Sequence, residues 1–139
     1  PLDKKGELVV AHPDFQLVIS YNPGYQSLMK DLKQSTKQRF GAMDFDYPDE
    51  KTEVAIVSKE SGVDSKIAEK LVQIAHRARN LKGHGLDEGI STRLLVYAGQ
   101  LISKGVDPEA ACTMTMVTPL TDDPDMRDTL NAAVQTFFG

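Results

Sequence analysis

Three stretches of this sequence place polar or cationic side chains where phosphate chemistry is done. The first is Ser20-Tyr21-Asn22-Pro23, at the end of the β-forming run Phe15 to Tyr21. An asparagine at the carboxyl end of a strand sits where ligands of open α/β sheets bind, and it can orient a water or a phosphate oxygen without adding charge. Asn-Pro-Gly is also an ordinary stop signal after a strand, and on spacing alone Asn22 reads first as a turn former. The second stretch, Lys30 to Arg39, sets Lys30, Lys33, Lys37 and Arg39 against Asp31 alone, and Arg39 directly precedes apolar Phe40. An arginine anchored in this way can face a transferring phosphoryl group, the role of an arginine finger. A solvated loop with inconsequential charges is the competing description. The third is Gly89-Ile90-Ser91-Thr92-Arg93, which puts an arginine in the first turn of a helix. A cation there is unfavourable unless an anion compensates it, and bound phosphate, Asp87 or Glu88 would each serve.

The remaining reactive side chains form no pattern. His12, His76 and His84 lack the paired spacing of a zinc site, and Cys112 sits among Ala110, Ala111 and Met114 as core packing would have it. No metal ligand is expected. No G-x-x-x-x-G-K-[ST] loop occurs, nor an apolar strand ending in Asp-Glu to hold magnesium, so the chain alone is not a complete phosphate-loop enzyme.

The elements that must position these residues change character along the chain. Gly6 to Val10, a turn at His12-Pro13-Asp14, and Phe15 to Tyr21 read as a hairpin leading into a buried strand; Tyr25 to Leu32 reads as a short helix and Ala42 to Tyr47 as another short strand. From Pro48 the signals are helical. Asp46 or Tyr47 before Pro48, Asp64-Ser65, Ser91-Thr92, Asp107-Pro108 and Asp123-Pro124 are five helix starts, several with proline at the first helical position. Ile67, Leu71, Ile74, Ala75 and Ala78 form one core stripe, and Leu94, Leu95, Ala98, Leu101 and Ile102 form another, with Gly62 and Gly105 where carboxy-terminal caps belong. The expected fold is therefore an α/β start, residues 1–47, followed by an all-α region, residues 48–139: α+β overall. The first part has too few strands to bury both faces of a sheet.

With 139 residues, 40% hydrophobic and 26% charged, the chain has globular composition. A net charge of −4 and a pI near 5.3 argue against general nucleic-acid binding. The lone cysteine fits a reducing cytoplasm, no apolar run approaches the ~20 residues of a membrane span, and a chain starting at Pro1 suggests a piece of something longer.

Four blocks together resemble a known family: residues 15 to 25 (Phe-Gln-Leu-Val-Ile-Ser-Tyr-Asn-Pro-Gly-Tyr), 32 to 40 (Leu-Lys-Gln-Ser-Thr-Lys-Gln-Arg-Phe), 44 to 48 (Asp-Phe-Asp-Tyr-Pro) and 89 to 93 (Gly-Ile-Ser-Thr-Arg). They are similar to the second half of the CbbQ/NirQ/NorQ group of MoxR-type AAA+ ATPases, over nearly the whole chain. Gln38 departs from the acidic residue that the wider MoxR pattern often carries there. The resemblance implies that Asn22 is the first sensor, Arg39 the finger reaching a neighbouring subunit's nucleotide, and Arg93 the second sensor opening a helical lid. It also implies ATP and Mg²⁺ as cofactors, a ring assembly, usually a hexamer, and a von Willebrand factor A-type partner of the CbbO or NorD kind. The client enzyme so implied is Rubisco or nitric oxide reductase. Residues 1–47 would then supply the last core strands, and 48–139 the linker helix and lid.

Two other readings stand beside this one. The helices after Gly62 could be a non-catalytic module that binds a partner protein, and an incomplete sheet would drive self-association of the chain.

Overall fold

A computed structural model describes residues 10–20, 35, 38–83, 86 and 88–139. The chain divides into two compact units, Pro1–Asp44 and Phe45–Gly139, and each is described by itself.

In the first unit the expected turn forms, with the Phe15 amide donating to the His12 carbonyl at 2.9 Å and the Asp14 amide to His12 Nδ1 at 3.2 Å. Among the described residues the expected α/β start does not appear. Residues 15–20 and 42–47 carry no strand, and among the described residues the chain's single β contact is an isolated parallel bridge, Lys82 with Leu86. Strands are stabilised by ladders to neighbouring strands, and these segments have none; Val18 is 86% exposed and Phe45 89%. A β-forming sequence without a partner strand stays extended and solvated. The hairpin arm before Val10 and the helix expected over Tyr25 to Leu32 lie outside the described residues.

The second unit is helical, and local chemistry explains where each helix begins. Helix α1 (Glu50–Ser61) starts on Asp49, whose carboxylate accepts from the Thr52 amide at 3.0 Å and the Thr52 hydroxyl at 2.6 Å. Neither Asp46 nor Tyr47 caps it, because Asp49 is itself a better-placed acceptor. Helix α2 (Ser65–Arg79) is capped by Asp64, α4 (Pro108–Cys112) by Asp107 and α5 (Pro124–Phe138) by Asp123, each carboxylate accepting a first-turn amide as its sequence signal requires. Helix α3 (Thr92–Ser103) follows Ser91, which makes no side-chain cap bond. The chain passes from α4 directly into a π-helical turn, Thr113–Val117, where the Thr118 amide reaches the Thr113 carbonyl at 2.9 Å.

These helices share one apolar core. Leu71, Val72, Ile74, Ala75 and Ala78 of α2 meet Leu95 and Ala98 of α3, Val57 of α1, Met116 and Val117 of the π-turn, and Leu130 and Val134 of α5. Helix α1 is part of this packing, and its approach to α3 is close: a β-carbon on Gly99 would lie 2.6 Å from Ser61 Cβ. Two cation–π contacts fasten the end of α5 to α2, Arg77 on the Phe137 ring at 4.5 Å and Lys70 on Phe138 at 5.0 Å. Among the described residues no helix is long and apolar enough to cross a membrane.

Candidate functional site

The polar centre of the helical unit is built on a charge that falls on a buried stripe. Glu53, Val57 and Ser61 lie one turn apart on α1, all three are buried, and Glu53 is fully so. On α2 the same spacing runs Leu71, Ala75, Arg79, which brings the guanidinium to the carboxylate. The pair is bidentate: Arg79 Nη1 donates to Glu53 Oε2 at 2.8 Å and Nη2 to Oε1 at 2.7 Å. The Thr92 hydroxyl, in the first turn of α3, donates to Oε1 at 2.6 Å, and His76 Nε2 lies 3.7 Å from Oε2. Burial pushes the Glu53 carboxyl up, but the hydrogen bonds from Arg79 and Thr92 and the charges of Arg79 and His76 outweigh it and hold the group below the ordinary carboxylate range.

Arg79 does more than neutralise Glu53. Its Nε donates to the Ile90 carbonyl at 2.8 Å, and its guanidinium lies over the Tyr47 ring at 3.7 Å from the centroid. A β-carbon on Gly89 would stand 2.8 Å from the Tyr47 hydroxyl and 3.0 Å from Arg79 Cγ, so the absent side chain lets the loop approach. Tyr47, α1, α2 and the entry to α3 thus meet at one buried ion pair. Tyr47 lies inside the second unit, Phe45–Gly139.

Arg93 follows Thr92 on the exposed side of α3's first turn. Among the described residues no ion pair joins it to a carboxylate; Asp87, one of the compensating groups weighed from the sequence, lies outside them. Arg39 is exposed in a turn of the first unit, followed by half-buried Phe40. Asn22, Lys30, Lys33 and Lys37 lie outside the described residues. Arg39 and Arg93 belong to different units.

The cysteine takes a structural place. Cys112 is buried, and desolvation, followed by Asp107 and Glu109, pushes its thiol up to about 12. No cluster of three or more histidine, cysteine, aspartate or glutamate side chains able to hold a metal occurs among the described residues. An open polar cavity of about 420 Å³ beside the π-turn is lined by Glu109, Thr113, Asp128 and Asn131 among others, and by none of the candidate site residues.

The Glu53 centre was not singled out from the sequence. Half of its signal was available: Arg79 falls in register with apolar Leu71 and Ala75 on α2, where a lone charge is too costly to leave unpaired, whereas Glu53 shares its register with Val57 and Ser61 and marks no apolar stripe.

Comparison with known proteins places the whole chain. The family model described as CbbQ/NirQ/NorQ C-terminal matches residues 53–137. The chain is 70% identical to protein CbbQ of Hydrogenophilus thermoluteolus over 99% of its own length and 52% of that protein's. It is 48% identical to protein NorQ of Paracoccus denitrificans over 100% of the chain and 52% of that protein. It is 50% identical to denitrification regulatory protein NirQ of Pseudomonas aeruginosa over 88% of the chain and 47% of that protein. The chain spans about half the length of the curated relatives it matches. With Glu53, Arg79, Thr92 and Arg93 all inside the matched region, the chain belongs to the CbbQ/NirQ/NorQ family through its C-terminal helical region.

Proposed function

We propose that this chain is the carboxy-terminal portion of an ATP-hydrolysing AAA+ protein that activates or matures a client enzyme. The observation that carries the reading is Arg93: an exposed guanidinium in the first turn of α3, joined to no carboxylate among the described residues. Such a position favours an anion, and a nucleotide phosphate meets the guanidinium with paired hydrogen bonds. In this reading Arg93 is the second sensor, Arg39 the finger presented to a neighbouring subunit, and Asn22 the first sensor. ATP brings the transferable phosphoryl group and Mg²⁺ neutralises its charge; the phosphate loop that grips them belongs to the full-length protein. The assembly is a ring, six subunits by family resemblance, in the cytoplasm. A von Willebrand factor A-type protein links it to its client, Rubisco for a CbbQ-like protein or nitric oxide reductase for a NorQ-like one. Residues 1–47 are assigned to the core and 48–139 to the linker and lid.

The test is binding of a fluorescent ATP analogue by the full-length protein with and without Arg93→Ala. Affinity should fall by about tenfold or more, the worth of one charge-assisted contact; unchanged affinity would remove Arg93 from the nucleotide site. A second reading, a non-catalytic interaction module, is favoured by the self-contained core of Phe45–Gly139. It requires that a partner protein binds equally well after replacement of both Arg39 and Arg93.

A further inference from the structure

We propose that the buried Glu53–Arg79 pair, acting through the Thr92 hydroxyl, is a positioning device that sets the angle at which Arg93 meets a nucleotide phosphate. The proposal rests on the reading of Arg93 given above and deepens it.

Helix α3 is held differently from its neighbours. Helices α1, α2, α4 and α5 each start on an aspartate that accepts a first-turn amide, so their first turns are locked by their own caps. Ser91 makes no such bond. The entry to α3 is instead tied from outside at two points, one on either side of Ser91. Arg79 Nε holds the Ile90 carbonyl at 2.8 Å, and Glu53 Oε1 accepts from Thr92 Oγ1 at 2.6 Å. Arg93 is the next residue, and it is exposed. Its backbone therefore inherits its position from α1 and α2.

The rigidity of the tether follows from its anchor. Glu53 is fully buried and its two oxygens are fixed by the guanidinium fork, so the acceptor for Thr92 cannot wander as a surface carboxylate would. Stacking of Arg79 on Tyr47 fixes the other side of the fork, and the bare backbone of Gly89 lets the loop close over both. Thr92 and Glu53 touch no ligand in this scheme; they hold the turn that carries the residue that does.

The separating experiment uses the full-length protein and a fluorescent ATP analogue. Thr92→Val keeps the volume and leaves both Arg79–Glu53 bonds intact, removing the tether alone. It should weaken analogue binding about tenfold, and, because it also removes a hydrogen bond to a buried carboxylate, it should lower the melting temperature by several degrees without unfolding the protein. Thr92→Ser, which restores the hydroxyl, should restore affinity. In an Arg93→Ala background Thr92→Val should have no further effect. A Thr92→Val loss that persists undiminished without Arg93, or that serine does not rescue, would overturn the positioning role. So would a silent Thr92→Val beside an effective Arg93→Ala. A silent Arg93→Ala would instead overturn the nucleotide-site reading beneath it.

Discussion

Replacing Glu53 by glutamine removes one charge from the centre of the helical unit and should cost more than any other single polar change there. The Arg79 side chain is 10% exposed and Glu53 fully buried, so the variant leaves a guanidinium with almost no water and no anion. Breaking a buried pair from one side costs about 3–5 kcal/mol. Stacking on Tyr47 and the bond to the Ile90 carbonyl survive, which favours the lower end, about 3 kcal/mol. A domain of this size loses roughly 4–8 °C in melting temperature per kcal/mol, giving a fall of about 12–24 °C. Thermal unfolding of the 139-residue chain followed by circular dichroism measures this directly. The control is Glu53→Leu combined with Arg79→Met, which removes both charges and should recover most of the loss, since apolar replacement of a whole buried pair is often neutral or stabilising. Melting of Glu53→Gln within about 3 °C of the parent, against the several degrees that each kcal/mol moves, would refute the claim that the pair holds these helices together.

Three other outcomes follow from the same structure. Because the folded Glu53 carboxyl lies below its unfolded value of about 4.3, its contribution is fully present above that value and is lost as pH falls through the folded one; acid titration of stability should show this loss in the parent and not in Glu53→Gln. Gly99→Ala drives a methyl into Ser61 where α3 crosses α1 and should destabilise by about 1–3 kcal/mol in urea unfolding, whereas Ser61→Gly in the same chain should relieve most of it. Cys112, buried with its thiol pushed up to about 12, should react with a disulfide reagent at pH 8 only as fast as the helical unit opens, so its labelling rate should rise with denaturant in step with unfolding.

The parts legible in the sequence were those decided within a few residues. Asp64, Asp107 and Asp123 announce α2, α4 and α5 because capping is a contact between a carboxylate and an amide three residues on. The stripes Leu71, Ile74, Ala75 and Ala78, and Leu95 with Ala98, were readable because helical spacing alone decides which face is apolar. Asp49 was hidden by its neighbour Pro48, a proline that stands before the cap instead of opening the helix. The α/β start could not be settled locally, since whether Phe15 to Tyr21 becomes a strand depends on which strand lies beside it. Glu53 and Arg79 lie 26 residues apart, and Glu53 and Thr92 lie 39 apart, so no local rule joins them. The π-turn Thr113–Val117, which buries Met116 and Val117 in the shared core, carries no local sequence signal of its own.

The motor reading of this chain meets its sharpest test in ATP turnover by the full-length protein carrying Arg39→Ala, alone and mixed with a second variant whose phosphate loop is disabled. If Arg39 serves a neighbouring subunit's nucleotide, each variant is inactive and the mixture recovers turnover, because some interfaces then combine an intact loop with an intact arginine. Normal turnover by Arg39→Ala alone would contradict it.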